Sequence, residues 1–266
     1  MLGSRSVIDG ADLDHVAVAT ERSSDVWARY IGQLGGAWRG GMPDPGFAWA
    51  QIEYANGMRL EVLEPHRPEL NDFLRRFLDR NGPGPHHLTF KVPDLVDALG
   101  HAESAGYRPV SVNMEHPDWK EAFLHPRDAP GVVVQLAQSS EHEGDWEPSP
   151  APELSVARAP HPATLERVTH AVADIDEGLR LFTGLLAGRV VDAGENETSR
   201  WVDVGWAGPG RVRLTAPTTS NNALTEWLGE RAGRVHHLAF SLPGLDAACE
   251  VAPEDNLGVR LQLSPG

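Results

Sequence analysis

One stretch of this chain occurs twice. Pro85-His86-His87-Leu88-Thr89-Phe90-Lys91-Val92-Pro93-Asp94 returns as Val235-His236-His237-Leu238-Ala239-Phe240-Ser241-Leu242-Pro243-Gly244. The double histidine, the apolar alternation and the closing proline are kept. In the first copy Leu88, Phe90 and Val92 alternate with His87, Thr89 and Lys91, the period-2 pattern of a half-buried strand. One face is apolar; the other sets a histidine, a hydroxyl and an amine in a row. A recurring pattern points to duplication, which restricts the fold because the same unit must pack more than once.

The rest of the chain repeats around these two strands. Asp14–Ala19 reads as a strand. Ser23 or Ser24 can cap a helix with Trp27, Ile31 and Leu34 on one face, ended by Gly35-Gly36. Alternating segments over 37–65 follow, with Ala48, Ala50 and Ile52 facing inward, Trp49 and Gln51 facing outward, and Asn56-Gly57 as a hairpin turn. Leu60 and Val62 then point to the core, so Arg59 and Glu61 point the other way. A helical connector through Leu70, Phe73, Leu74, Phe77 and Leu78 stops at Gly82 and leads into the first double-histidine strand. A helix through Leu95, Leu99 and Ala102 and strands at 108–114, 121–125 and 132–137 complete a second unit. After 163 the order returns: a strand at 167–173, a helix through Leu179, Phe182 and Leu186, three strands, a connector at 221–232 and the second double-histidine strand. The last unit is short, with a few helical residues near Leu245–Cys249 and one strand at 259–263. The expected fold is α+β: four βαβββ modules paired into two curved mixed-sheet bowls, the last module truncated. The expected domains are 11–138 and 163–266, joined by a Pro/Ser/Glu-rich linker at 139–162.

Composition narrows the function. Lys and Arg total 23 against 38 Asp and Glu, a net charge of −15. That disfavours nucleic acid and anionic membrane surfaces as partners. No apolar run approaches membrane-spanning length, and Met1-Leu2-Gly3-Ser4-Arg5 lacks the apolar core of a signal peptide. Cys249 is the sole cysteine. These features lead us to expect a soluble cytoplasmic protein; a small-molecule substrate and a monomer or homodimer are expected beside them.

The outward faces of the first half carry the chemistry. His15 is on strand one and Glu61 on strand four of the first unit; His87 and Gln135 hold the same places in the second. The spacings are 87 − 15 = 72 and 135 − 61 = 74 residues. Pairing of two such units would bring all four into one bowl. Two imidazoles, a carboxylate and an amide oxygen suit Zn²⁺, Co²⁺, Ni²⁺, Mn²⁺ or Fe²⁺ and leave a position open for substrate. Lys91 and Arg59 share the face of His87 and Glu61; they are either surface charges or anchors for an anionic substrate. Trp49 and Gln51 are expected to line the bowl. His86, His170 and His236 read as packing residues, and Glu53 and Glu64 as solvated ones.

Asp14-His15-Val16-Ala17-Val18, Leu60-Glu61-Val62-Leu63-Glu64-Pro65, His86–Asp94, Phe123-Leu124-His125-Pro126 and Gly131–Leu136 resemble the vicinal oxygen chelate superfamily. This is the glyoxalase, bleomycin-resistance and extradiol dioxygenase group, and the likeness is nearest to its methylmalonyl-CoA epimerase branch. The resemblance extends over nearly the whole chain outside the N-terminal tail and the linker. It implies that His15, Glu61, His87 and Gln135 occupy the four metal-ligand positions. Glutamine at 135 departs from the glutamate usual there in glyoxalase I and the epimerase, and an amide cannot accept a proton at neutral pH. The epimerase's glutamate base on strand three has Trp49 as its nearest counterpart. In the second half the same alignment puts Arg167, Thr215, His237 and Gln262 in the ligand positions, a set unsuited to a metal.

The resemblance implies a divalent-metal enzyme, an isomerase, epimerase or lyase acting on a small oxygen-rich, anionic or acyl-CoA substrate through a metal-stabilised enolate. Glu61 or Lys91, or a bound hydroxide, would move the proton. Two alternatives stand beside it: an Fe(II)-dependent dioxygenase built on His15, His87 and Glu61, and a non-catalytic protein that sequesters a small molecule.

Overall fold

The computed structural model describes residues 6–140 and 149–266. The leading residues 1–5 and the linker centre 141–148, with Trp146-Glu147-Pro148, lie outside the described residues.

Two curved mixed sheets with few helices make this an α+β fold. The first holds β1 (Asp12–Ala19), β2 (Ala37–Asp44), β3 (Gly46–Glu53), β4 (Arg59–His66), β5 (Gly84–Lys91), β6 (Pro109–Asn113), β7 (Trp119–Leu124) and β8 (Val133–Ser139), in the order β2-β3-β4-β1-β5-β8-β7-β6. The second holds β9 (Thr164–Val172), β10 (Arg189–Glu195), β11 (Ser199–Gly205), β12 (Arg211–Pro217), β13 (Gly233–Leu242), β14 (Cys249–Val251) and β15 (Leu261–Pro265), in the order β10-β11-β12-β9-β13-β15-β14. In every module the opening strand pairs in parallel with the closing one: β1 with β4, β5 with β8, β9 with β12 and β13 with β15. The strands between are antiparallel hairpins. Asn56-Gly57 makes the β3–β4 turn, with Gly57 at φ +85° and Tyr54 N–H donating to Met58 O.

The helices are α1 (Phe73–Asn81), α2 (Leu95–Ser104), α3 (Ile175–Leu179) and α4 (Ala223–Leu228). Side chains start three of them. Asp94 accepts from Asp97 N–H, Asp174 from Asp176 N–H and Asn222 from Thr225 N–H, each filling an otherwise orphaned helix donor. In α1 the spacing of Phe73, Leu74, Phe77 and Leu78 makes one apolar stripe. Leu74 and Leu78 bury it against Ala17, Ala19 and Leu63. Leu70 lies before this helix and is exposed.

Three local expectations are corrected. The segment after β1 is a 3-10 turn, Ser23–Asp25, followed by a π-helix, Ala28–Gln33, with Leu34 N–H reaching Arg29 O. Arg180–Leu185 repeats this, with Leu186 N–H reaching Leu181 O. The wider turn buries the consecutive residues Tyr30 and Ile31 together with Leu34. No serine side chain caps the first segment. Glu64 does so instead, its carboxylate accepting from Ser23 N–H at 2.5 Å, so it is not simply solvated. The last module contains β14 and no helix at 245–249, so it lacks one strand of the plan rather than two.

Contacts group the chain into two compact units. Among the described residues, one is drawn from 6–14, 87–140 and 168–236; the other from 15–86, 149–167 and 237–266. In the first, Phe90, Phe182 and Trp206 form an aromatic cluster and Asp12 Oδ2 accepts from Gly208 N–H. In the second, Tyr54 stacks edge-on against Phe240 and Asn256 Nδ2 donates to the buried Tyr30 hydroxyl. Burying each such ring contributes roughly 1.5–3 kcal/mol. Within this unit the linker's described end lies along the first helical segment, Ala159 N–H donating to Gly32 O and Trp38 Nε1 to Ser149 O.

Candidate metal centre

Register decides which side chains share a face. β1 and β4 pair with His15 opposite Arg59 and Ala17 opposite Glu61, while β3 and β4 place Gln51 opposite Glu61. Apolar alternation sends Val16, Val18, Leu60 and Val62 into the core. His15, Arg59, Glu61 and Gln51 are thereby left on the other face. His15 Nε2 lies 3.6 Å from Glu61 Oε2, and the Glu61 side chain is 13% exposed. Gln51 Nε2 donates to Glu61 Oε1 at 3.5 Å, and Arg59 Nη1 donates to Gln51 Oε1 at 3.5 Å. Arg59 also faces Glu53 Oε2, the same oxygen that Arg39 approaches. Trp49 packs on the apolar cluster of Ala17, Ala19, Leu63, Leu74 and Leu78.

β5 and β8 pair with His87 opposite Val133, Thr89 opposite Gln135 and Lys91 opposite Ala137. His87 packs edge-on against Phe123. Thr89 Oγ1 donates to Gln135 Oε1 at 2.5 Å, and Gln135 Nε2 donates to Glu121 Oε2 at 2.6 Å. Trp119 Nε1 donates to the same Glu121 oxygen at 2.9 Å, and Lys91 Nζ stands 4.1 Å over the Trp119 ring.

One ligand atom each from His15, Glu61 and His87 lies within 4.8 Å of the others. Ligand atoms at about 2.0–2.2 Å from a shared divalent ion are separated by roughly 3–4 Å, so small side-chain movements close the set. Both histidines are buried, and burial removes the water that would otherwise compete for a cation. The donor chemistry fits a divalent transition metal. Among the described residues this is the sole such cluster of histidine and acidic donors.

His86 packs between the Phe73 and Phe77 rings. Burial pushes its imidazole down to about 4, with the Glu61 charge opposing. His86 is thus neutral at physiological pH, in keeping with a packing role.

In the second sheet β9 and β12 pair in parallel, with Thr169 opposite Arg213 and Ala171 opposite Thr215. Arg213 is held in a two-pronged ion pair with Asp203.

Sequence reasoning gave no site role to Glu121, Trp119, Thr89 or Phe123. The signal was available in part: Trp119, Glu121 and Phe123 alternate with the buried Ala122 and Leu124, and Phe123 lies opposite Gln135.

Residues 14–123 match the profile of the Glyoxalase/Bleomycin resistance protein/Dioxygenase superfamily. Structural likeness extends the fold over nearly the whole chain. A mutant of 4-hydroxymandelate synthase from Streptomyces coelicolor aligns over 95% of this chain and 91% of its own, with 12% identity and a TM-score of 0.67. A hypothetical protein from Staphylococcus aureus aligns over 96% and 100%, with 11% identity and a TM-score of 0.65. Methylmalonyl-CoA epimerase from Mycobacterium tuberculosis aligns over 55% of this chain and 97% of its own, with 24% identity and a TM-score of 0.46. Comparison with curated protein sequences gave no match. No helix among the described residues is long and apolar enough to cross a membrane.

Proposed function

We propose that this protein is a divalent-metal enzyme, an isomerase, epimerase or lyase acting on a small oxygen-rich substrate. The observation that carries the reading is the convergence of His15, Glu61 and His87 within 4.8 Å. These three residues, with Gln135 as a fourth donor, would hold the metal. When bound, it would act as a Lewis acid on neighbouring oxygens of the substrate and stabilise the charge that develops on them. Gln51 and Arg59, linked to Glu61, would steady that carboxylate and line the substrate side. Lys91, attracted to the Trp119 ring face, would remain in place as an anchor for an anionic group. Trp49, packed at the edge of the apolar cluster, would meet the less polar part of the substrate. Glu61 is the carboxylate we assign to proton movement, with Lys91 as the electrostatic partner.

A second reading is favoured by the donor set itself. Two imidazoles and one carboxylate form the triad of non-haem Fe²⁺ oxygenases, and an Fe²⁺-dependent dioxygenase would use the same residues. One experiment separates the two. The full chain is loaded with Zn²⁺, Co²⁺ or Fe²⁺ and offered candidate 2-oxo acids and acyl-CoA thioesters. Solvent deuterium entering recovered substrate supports the first reading; oxygen uptake confined to the Fe²⁺ form supports the second. If neither His15→Ala nor His87→Ala changes metal content, both readings fail and sequestration of a small molecule replaces them.

A further inference from the structure

Gln135 sits in a frame that distinguishes the two ends of its amide. Its side chain is buried between partners on two strands, Thr89 on β5 and Glu121 on β7, and Trp119 of β7 in turn donates to Glu121. An amide's oxygen and NH2 ends are nearly equal in shape and opposite in chemistry. An ionised carboxylate only accepts, so Glu121 selects the NH2 end. The oxygen end is turned away from Glu121, where the Thr89 hydroxyl occupies one of its two lone pairs. Trp119 donates to the Glu121 oxygen that Gln135 uses and so holds that carboxylate in place. Glu121 itself stands outside the His15, Glu61 and His87 cluster.

We propose that Glu121 is a positioning residue that orients Gln135, so that the amide presents its oxygen, and not its NH2, to a metal held by His15, Glu61 and His87. The proposal rests on the metal reading above. It also accounts for glutamine at a position where glutamate is usual in the enzymes this chain resembles. With Glu121 2.6 Å away, a second carboxylate at 135 would meet a like charge at contact distance. The acidic group stands one strand over, and the neutral amide is the donor that tolerates it. Outer partners of this kind fix ligand orientation in metal sites.

The test measures Zn²⁺ affinity of the full chain by competition with a chromophoric chelator, together with the visible spectrum of the Co²⁺ form. Glu121→Gln replaces an acceptor-only group by one that can offer either end, so the amide at 135 loses its fixed orientation. We expect Zn²⁺ affinity to fall about 10–100-fold and the Co²⁺ spectrum to change. The double variant Glu121→Gln/Gln135→Glu should regain the affinity, because a carboxylate has no wrong end. Gln135→Glu alone should bind no more tightly than the native chain. A purely structural role for Glu121 would not be rescued by the second substitution. Should Glu121→Gln fail to fold, Glu121→Asp, which withdraws the carboxylate by one methylene, should show the same loss and spectral change. If Glu121→Gln (or Glu121→Asp in its place) binds like the native chain while His87→Ala loses the metal, the positioning role is wrong and the metal reading stands. A double variant as weak as the single also overturns it. If the native chain binds neither Zn²⁺ nor Co²⁺, the metal reading is what fails.

Discussion

Acidification should unfold this protein partly through one histidine that is not part of the candidate centre. His170 on β9 is fully buried, and its Nε2 donates to Pro130 O at 2.7 Å. Its Nδ1 is buried with no hydrogen-bond partner among the described residues. A second proton on this ring would be a charge in an apolar site with nothing to accept it. Burial accordingly pushes the imidazole down to about 4 from an ordinary 6.5, with the Pro130 hydrogen bond opposing. The sign follows from linkage. The unfolded chain takes up the proton as pH falls through 6.5, while the folded chain resists until about pH 4. Stability is therefore fully present above pH 6.5 and is lost progressively between pH 6.5 and 4. The cost reaches about 2 kcal/mol at pH 5 and about 3 kcal/mol at the end of the window. Urea unfolding of the native chain and of His170→Gln at pH 7.5, 6 and 5 isolates the effect, since every other titrating group is common to both. His170→Gln keeps an NH2 donor for Pro130 and cannot titrate. The native chain should lose about 2 kcal/mol relative to the variant between pH 7.5 and 5. A stability difference that stays constant across that range would refute the burial argument.

Other outcomes follow from particular contacts. His87→Ala should abolish metal binding, whereas His237→Ala should leave metal content unchanged, because among the described residues no cluster of histidine and acidic donors forms around His237; elemental analysis of both variants decides. Glu61→Gln keeps the shape and removes the charge, so Zn²⁺ affinity measured by chelator competition should drop by at least about tenfold, or about 1.4 kcal/mol. Gly131 sits at φ +70°, and a Cβ there would fall 1.8 Å from Gly233 O, so Gly131→Ala should cost more than about 2 kcal/mol in thermal or urea unfolding. Gly57, at φ +85° with open space around it, should tolerate alanine with only the backbone penalty of about 1 kcal/mol, measured the same way.

The strand order was legible because period-2 alternation is local. Leu88 and Phe90, or Leu60 and Val62, announce a buried face within five residues, and the opposite face follows from pleating. Duplication then aligned His15 with His87, and Glu61 with Gln135. The helical segments after β1 and α3 were legible as apolar stripes, but not as π-turns. Burying Tyr30 beside Ile31 depends on what packs on them, and that information lies far along the chain in Asn256.

By itself the sequence determined the modules, their faces and the candidate His15, Glu61 and His87 set, since each depends on spacing within one strand or between copies of one pattern. Tertiary structure alone decided the neighbours of those residues. It set Glu121 against Gln135, closed Glu64 over the Ser23 amide, and sealed His170 against Pro130. Each of these is a matter of register between strands or of packing between distant segments. Such contacts form only when the chain folds back on itself, and no periodicity within a strand encodes them.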